Sequence, residues 1–219
     1  MAFAKEATAA AGWEDRALDR SLSAARGRSA TRARRLVDAA RSLATELGSS
    51  QFTVAEVSSR ADVSLRSFYR HFAGKDELLL ALLEEEARTG AELLRLGLES
   101  IDDPLERVRA FVLGICSLLV TGSGYSSLLV REHLRLGEQH PDEVRAALAP
   151  IIDVLDRELT AAARAGEVRP VDRHDAVMMF TVVLAHVHAS FLFGPLDDLE
   201  TSATRLWDFC RSGLAPSSS

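Results

Sequence analysis

Apolar residues recur along most of the chain at the spacing of an α-helix. Between residues 31 and 47 they fall at i, i+4, i+7, i+8 and i+11, which is one stripe of an amphipathic helix, and Gly48 is placed to end it. Longer segments with helical period follow at residues 76–97, 104–121, 124–138, 141–165, 172–193 and 198–213. No strand-like alternation bounded by hairpin turns occurs beyond residue 75. The pattern therefore predicts an all-α protein, with Pro150 kinking the helix in which it lies.

Two shorter helices are predicted between these elements. Thr53 is followed three residues later by Glu56, which is the capping-box signature of a helix N-terminus. After a turn of about three residues, Ser64 can cap a second helix that covers residues 65–72. Two short helices joined in this way describe a helix-turn-helix, whose second helix enters the DNA major groove. The alternative is an ordinary helical corner inside a core.

The second short helix has one apolar and one basic face. Val63, Phe68 and Phe72 can point inward. The residues predicted to stay outside are Arg66, Ser67, Arg70 and His71. The whole chain has a net charge of −6, but residues 1–75 hold 13 Lys and Arg against 8 Asp and Glu, so the basic excess lies in the N-terminal third. An ordinary corner has no need of a basic face, and this pattern favours DNA binding.

The segment "TVAEVSSRADVSLRSFYRHFAGKDELL", residues 53–79, resembles the TetR family, the tetracycline-repressor-like bacterial regulators. The resemblance rests on Tyr69, His71, Phe72 and Lys75, which stand at the family's spacing after a capped turn. It implies an N-terminal three-helix DNA-binding domain followed by a helical ligand-binding and dimerisation domain. The sequence departs from the family pattern at the turn glycine, at a small apolar position of the first short helix and at the two positions after Ser64; these residues are Asp62, Ser59, Leu65 and Arg66.

Roles in DNA binding follow from side-chain chemistry and from the resemblance. Arg66 can donate a bidentate pair to guanine, and Leu65 can contact a thymine methyl group. Phosphate contacts that position the protein are expected from Lys75 at the start of the next helix. The resemblance adds the phosphate-contacting side chains Thr53, Ser67, Tyr69 and His71, with Ser64 completing the DNA-binding set. Arg70 fits either role.

The chain divides into three predicted parts. Residues 1–28 are expected to form a flexible N-terminal arm, residues 29–75 the DNA-binding domain, and residues 76–215 the ligand-binding and dimerisation domain. Two interpretations of the basic residues near the first boundary remain open, namely a footprint extended along DNA or a solvated basic face. These residues are Arg26, Arg28, Arg32, Arg34 and Arg35.

A small helix-turn-helix reads one half-site, so a homodimer on a palindromic operator is expected. The last two helices are suited to a two-fold four-helix interface, which the resemblance also implies. Predicted interface residues are Met179, Val182, His186, Leu199, Ala203, Leu206, Trp207 and Cys210.

The resemblance also implies a small-molecule effector that changes the spacing of the recognition helices. A largely apolar ligand site is predicted among the middle helices. Its candidate residues are Phe111, Cys116, Leu119, Tyr125, Leu129, His133, Met178, Thr181 and His188. We predict a ligand-responsive regulator, more often a repressor than an activator; the rival class is a helical small-molecule-binding protein or enzyme without DNA binding.

Other chemistry finds little support in the sequence. His186 and His188 lie about 200° apart on a helix and cannot grip one metal ion, and no catalytic or cofactor motif occurs. Cys116 and Cys210 are expected to be reduced packing residues. The uncharged stretch 176–196 is expected to be buried in protein rather than membrane-spanning, and a cytoplasmic location is expected.

Overall fold

The structure is a computed structural model that describes residues 13–121, 124–193 and 198–215, and within these ranges the chain forms nine helices and no strand. Their bounds are α1 Trp13–Leu47, α2 Val54–Arg60, α3 Leu65–Phe68, α4 Lys75–Leu98, α5 Pro104–Thr121, α6 Gly124–Gln139, α7 Pro141–Arg164, α8 Arg173–Phe193 and α9 Leu199–Gly213. The all-α prediction is confirmed, and α4 to α9 begin and end within one residue of the predicted bounds. Helix α7 continues through Pro150.

The first helix begins earlier than the sequence predicts. Residues 13–30 continue the predicted helix without a break, although most of this stretch had been assigned to the flexible arm. All side chains from residue 21 to residue 32 are exposed, so no apolar stripe marks this part of the chain. Alanine, leucine and arginine favour helix, and an anchored helix is extended without a new nucleation cost. Propensity rather than burial therefore accounts for the extension.

The interior consists of two apolar clusters that share α4. The N-terminal core joins α1, α2 and α3 to the first half of α4, with side chains from α6 and α7 closing it. The C-terminal core joins the second half of α4 to helices α5 to α9. Within α4, the buried residues of the N-terminal core are Leu78, Leu79, Leu82 and Leu83, and those of the C-terminal core are Ala87, Ala91, Leu94 and Leu98.

Polar contacts also tie α6 to the N-terminal helices. Arg135 donates to both carboxylate oxygens of Asp76, over 2.7 and 3.2 Å, and also to Glu132, over 2.8 Å. The Arg135 guanidinium holds the pKa of Asp76 below its usual range. Glu132 in turn accepts a hydrogen bond from the Ser50 hydroxyl, in the loop after α1. Helix α6 is thus fixed to the start of α4 and to the α1–α2 loop.

The turn between α2 and α3 has a left-handed backbone at Asp62, whose φ is 50°. This is the position where the sequence replaces the family's glycine. Arg35 of α1 donates to the Asp62 carboxylate over 3.1 Å and to its carbonyl oxygen over 3.4 Å. A residue with a Cβ is strained in this region, and Asp tolerates it better than most.

We expect the free energy of unfolding of Asp62→Gly to exceed that of Asp62→Ala by about 1 kcal/mol. Glycine has no Cβ to strain the left-handed backbone, whereas alanine has a Cβ and lacks the polar side chain with which Asp tolerates this region. Urea denaturation of the two variants measures the difference. The matched control is Ser59, an exposed position of α2, where glycine should be the less stable replacement by up to about 1 kcal/mol. Equal stability of Asp62→Gly and Asp62→Ala would contradict the assignment of strain to this turn.

Candidate nucleic-acid interface and effector cavity

Both short helices begin at the predicted caps. The Thr53 hydroxyl accepts from the backbone N–H of Glu56 over 3.1 Å, while the Glu56 carboxylate accepts from the Thr53 N–H over 2.7 Å, which completes the capping box. The Ser64 hydroxyl accepts from the Ser67 N–H over 3.2 Å. The Thr53 hydroxyl also donates to Glu56. The bonds at Thr53 fix where α2 starts, and the bond at Ser64 fixes where α3 starts.

Helix α3 is shorter than predicted. It spans four residues, and residues 69–72 continue as a tighter turn in which the His71 N–H donates to the Phe68 carbonyl over 2.8 Å. The predicted inward face is confirmed, since Val63, Phe68 and Phe72 are all buried in the N-terminal core. Phe68 also packs edge-to-face against Tyr69, with 5.3 Å between ring centroids. The aromatic core therefore positions this segment despite its short helix.

The outer face of this segment presents apolar and basic groups to solvent. Leu65 is 47% exposed and Tyr69 is 60% exposed. Arg66 and Arg70 are exposed, and His71 is half-buried. Within the described part of the chain, the Arg66 guanidinium makes no hydrogen bond or ion pair, whereas Arg70 donates to the Ser67 hydroxyl over 3.3 Å. The start of α3 therefore carries an uncommitted guanidinium beside an exposed leucine.

The prediction that Ser67 lies outside is wrong. Its side chain is only 6% exposed and turns toward the protein rather than toward solvent. Its backbone N–H is committed to the Ser64 cap and its hydroxyl to Arg70. Ser67 thus positions Arg70 from below the surface.

Lys75 is held by neighbouring groups at the start of α4. Its ammonium donates to the Ser50 carbonyl and lies 5.0 Å from the centroid of the Phe52 ring. Two residues before α4, the Ala73 N–H donates to the Glu77 carboxylate, which holds this acidic side chain at the first turn. Lys75 therefore braces the loop after α1 against α4, a role that its spacing in the sequence does not reveal.

An apolar cavity of about 80 Å³ lies among α4, α5, α6, α7 and α8. Three of the nine predicted ligand residues, Leu119, Leu129 and His133, line it. The other lining residues are Leu83, Glu86, Ala87, Gly90, Leu93, Ile115, Leu118, Val130, Leu148, Ile151, Phe180 and Leu184. The α4 contribution was missed, although positions 83, 86, 87 and 90 form one helical stripe that could have shown it.

Most of the remaining predicted ligand residues lie elsewhere. Phe111 and Cys116 are buried in the C-terminal core rather than in the cavity wall, and burial raises the pKa of the Cys116 thiol to about 11. The Tyr125 side chain lies outside the described residues. His188 does not line the cavity, and its Nδ1 is buried without a hydrogen-bond partner among the described residues.

The cavity contains two polar groups. Nδ1 of His133 contacts the Val130 carbonyl and must donate to it, because a carbonyl only accepts. Burial lowers the pKa of His133, and the nearby His188 acts in the same direction, so the ring is neutral at pH 7 and Nε2 is an acceptor. Glu86 supplies a carboxylate to the same wall. The His133 ring therefore offers a hydrogen-bond acceptor to the cavity at neutral pH.

Three predicted site residues of α8 lie on the opposite side of the helix from the predicted one. Met178 and Thr181, predicted to contact ligand, are exposed, and Met178 is 50% exposed. Met179, predicted to be in a dimer interface, is buried in the C-terminal core. The helix is apolar on nearly all sides, so the sequence pattern does not show which side is buried. His186 donates to or accepts from the Ser202 hydroxyl over 2.8 Å, which ties it to α9 of the same chain.

The predicted α9 stripe also packs within the chain. Ala203, Leu206 and Trp207 are buried in the C-terminal core, so the prediction that they face a partner is wrong. A stripe at helical spacing identifies a buried face but not what covers it. The Leu199 side chain lies outside the described residues.

An open groove of about 560 Å³ runs between α8 and α9. Phe209 is its most exposed apolar residue, at 68%, and it shares the groove with Val182 and Cys210, two of the predicted interface residues. The remaining lining residues are Arg169, His174, Asp175, Val177, Met178, Met179, Thr181, Ser212, Gly213 and Leu214.

Neither a membrane-spanning helix nor a metal-binding cluster occurs among the described residues. No described helix is long and apolar enough to cross a bilayer. No group of three or more His, Cys, Asp or Glu side chains in the described ranges is arranged to hold a metal ion.

Comparison with known proteins connects these features to one family. Residues 36–82 match the model for bacterial regulatory proteins of the tetR family. The HTH-type transcriptional regulator BetI of Brucella abortus (strain 2308) is 33% identical over 81 residues, which cover 37% of this chain and 41% of BetI. The match thus spans less than half the length of this curated relative.

Two solved structures share the fold of most of the chain. FadR from Bacillus subtilis, solved with stearoyl-CoA, has a TM-score of 0.66 at 20% identity over 82% of this chain and 98% of FadR. RolR, solved with resorcinol, has a TM-score of 0.67 at 21% identity over 86% of this chain and 94% of RolR. The chain is thus similar in sequence to bacterial regulatory proteins of the tetR family over residues 36–82, and similar in fold to FadR and RolR over most of its length.

Proposed function

We propose that the protein is a ligand-responsive, DNA-binding transcriptional regulator that acts as a repressor. The observation that carries this proposal is the outer face of α3, where Leu65, Arg66 and Tyr69 are exposed on a segment fixed by Phe68 in the core. Residues 29–75 bind the operator, and residues 76–215 bind the effector and a second copy of the chain. A small-molecule-binding protein or enzyme without DNA binding would leave this exposed face unexplained.

The exposed face supports a division between base reading and backbone contact. The Arg66 guanidinium has no partner among the described residues and can bind the O6 and N7 atoms of guanine, and Leu65 can contact a thymine methyl group. Tyr69, Arg70 and His71 follow on the same segment and suit phosphate oxygens. The Ser64 hydroxyl and the Lys75 ammonium complete the proposed contacts at the helix starts, and Ser67 acts through Arg70. The Thr53 hydroxyl must exchange its bond to Glu56 for a phosphate oxygen to join them.

The test of base reading is the variant Arg66→Ala on two duplexes, one selected from a random pool for tight binding and one of random sequence. We expect binding to the selected duplex to weaken by about 10- to 100-fold, the equivalent of about 1 to 3 kcal/mol, and binding to the random duplex to weaken much less. Fluorescence anisotropy measures both affinities. Arg88→Ala, which removes an exposed arginine from α4, serves as the control. Equal losses on the two duplexes would exclude base reading by Arg66.

The cavity supports a compact, largely apolar effector that carries a hydrogen-bond donor. Its polar groups, Nε2 of His133 and the Glu86 carboxylate, both accept, so a hydroxyl group is favoured and an anion is disfavoured. Its volume of about 80 Å³ also favours a small ligand. Resorcinol, the ligand in the RolR structure, has this chemistry, whereas the stearoyl-CoA of the FadR structure is long and anionic.

The walls of the cavity connect it to the DNA-binding helices. Leu83 and Leu129 line the cavity and also belong to the N-terminal core. A ligand that pushes α4 and α6 apart must therefore repack the core on which α3 rests. We propose that this displacement favours a DNA-incompetent spacing of the two recognition helices, with a coupling free energy of about 1 to 3 kcal/mol.

The effector chemistry can be tested with phenol and benzoate, which share a ring and differ in charge. We expect phenol to raise the melting temperature and benzoate to leave it unchanged. His133→Leu should weaken phenol binding by about tenfold, the value of one net hydrogen bond, while the exposed α8 control His174→Leu should not. The pKa of His133 lies below the usual histidine value of 6.5, so the ring is neutral above that pH and Nε2 can accept. Protonation at lower pH turns Nε2 into a donor, and phenol binding should therefore weaken as the pH falls below 6.5. Stabilisation by benzoate alone would contradict the proposed chemistry.

The groove between α8 and α9 supports a homodimer on a palindromic operator. Exposed apolar side chains of this kind mark interaction surfaces, and Val177, Met178 and Phe209 provide them on two adjacent helices. Two copies joined here would present two α3 segments, as the two half-sites of a palindrome require.

We expect Met178→Glu and Phe209→Glu each to shift the protein toward a monomer, because a two-fold interface would place each new carboxylate near its own copy in an apolar groove. Sedimentation velocity measures the oligomeric state. Leu134→Glu replaces an α6 residue that is 49% exposed and lies outside the groove, and it should leave the dimer intact. A dimer that survives both groove variants would exclude this surface.

A further inference from the structure

The N-terminal part of α1 carries a basic run that lies outside both cores. From Arg20 to Val37 the sequence contains six arginines and no acidic residue. Arg26, Arg28 and Arg32 are exposed, and none of the three has a hydrogen-bond or ion-pair partner among the described residues. Their charge is therefore not used by the described fold.

Polar contacts between α1 and the helix-turn-helix fix the direction in which this run extends. Near the C-terminal end of α1, Glu46 and Ser42 bind Arg60, the last residue of α2. Further back along α1, Arg35 binds Asp62 in the turn. From Arg60 to Asp62 the chain advances toward α3. The partner residue on α1 meanwhile moves from positions 42 and 46 back to position 35, about 10 to 16 Å along the helix axis. The N-terminal part of α1 therefore extends past the turn on the side where α3 begins.

Arg28 and Arg32 lie on the face of α1 that makes these contacts. At about 100° per residue, Arg32 is about 60° and Arg28 about 20° around the helix from Arg35. At about 1.5 Å per residue, they lie about 4 and 10 Å further along the axis. Arg26 is about 180° from Arg35 and lies on the opposite face. Two of the three uncommitted arginines thus share the side of α1 that faces the turn before α3.

The spacing of Arg28 and Arg32 lowers the stability of α1 in the isolated chain. Like charges at i and i+4 destabilise a helix, and no acidic residue of the run offsets the repulsion. A polyanion beside this face would remove it. The phosphate backbone of the duplex that α3 contacts is the polyanion that the proposed function brings to this side of the molecule.

We propose that the N-terminal extension of α1 is a second DNA-contacting element, in which Arg28 and Arg32 bind the sugar-phosphate backbone next to the half-site contacted by α3. This inference rests on the proposed DNA-binding function. The contact is to phosphate and carries no sequence information, so it raises affinity for any duplex.

The test compares three single variants of the full chain, Arg28→Gln, Arg32→Gln and Arg26→Gln. Each removes one exposed charge from the same helix, and circular dichroism checks that helicity is equal. Anisotropy titrations use the selected duplex and a random duplex over a series of salt concentrations. We expect Arg28→Gln and Arg32→Gln each to weaken binding to both duplexes by roughly three- to tenfold and to lower the slope of log K against log salt by about 0.9. Arg26→Gln should leave the slope unchanged.

The possible outcomes separate the two proposals. Wild-type binding that is selective and salt-dependent, with three variants that behave alike, would exclude DNA contact by the N-terminal extension of α1. The proposed function would still stand. A wild-type chain that shows no salt-dependent binding to either duplex would overturn both. A loss of affinity confined to Arg28→Gln and Arg32→Gln would support DNA contact by the N-terminal extension of α1.

Discussion

Helix α4 packs into both apolar cores and thereby links their positions. The first half of this 24-residue helix completes the N-terminal core, and its second half completes the C-terminal core. Because an α-helix transmits displacement along a length of about 36 Å, the two cores cannot move independently. Arg135 adds a second connection by binding Asp76 at the first turn of the same helix. The proposed DNA-binding segment and the apolar cavity therefore both rest on the same helix.

The arginines of the N-terminal helices divide into structural and uncommitted groups. Arg34 and Arg41 both bind Glu85 of α4, and Arg60 binds Glu46, so these residues join helices to each other. Arg66 makes no such contact among the described residues. A charge count over the first 75 residues cannot separate the two groups, because the separation depends on which carboxylates the fold brings close. Lys75 shows the same limit, since its bond to the Ser50 carbonyl is formed between distant parts of the sequence.

Local signals allowed more of the fold than of the site to be predicted. The caps at Thr53 and Ser64 and the stop at Gly48 act within a few residues, and the sequence therefore shows them directly. The extension of α1 lacks an apolar stripe and gave no periodic signal. The buried face of α8 was wrongly predicted for the opposite reason. Apolar residues lie on all sides of this helix, and its contacts with α5 and α7 decide which side is buried. Residues of the cavity come from five helices, and only tertiary packing brings them together.

The small volume of the cavity provides a physical basis for the proposed coupling between ligand binding and DNA binding. A ligand shifts a conformational equilibrium only by its difference in affinity for the two states. A cavity of about 80 Å³ is smaller than the roughly 150 Å³ apolar cavity known to hold benzene, so an aromatic ligand favours a form in which α4 and α6 are further apart. Leu83 and Leu129 cannot follow the ligand outward and also keep their places in the N-terminal core. Close-packed cores resist gradual deformation, and the two packings are therefore discrete alternatives.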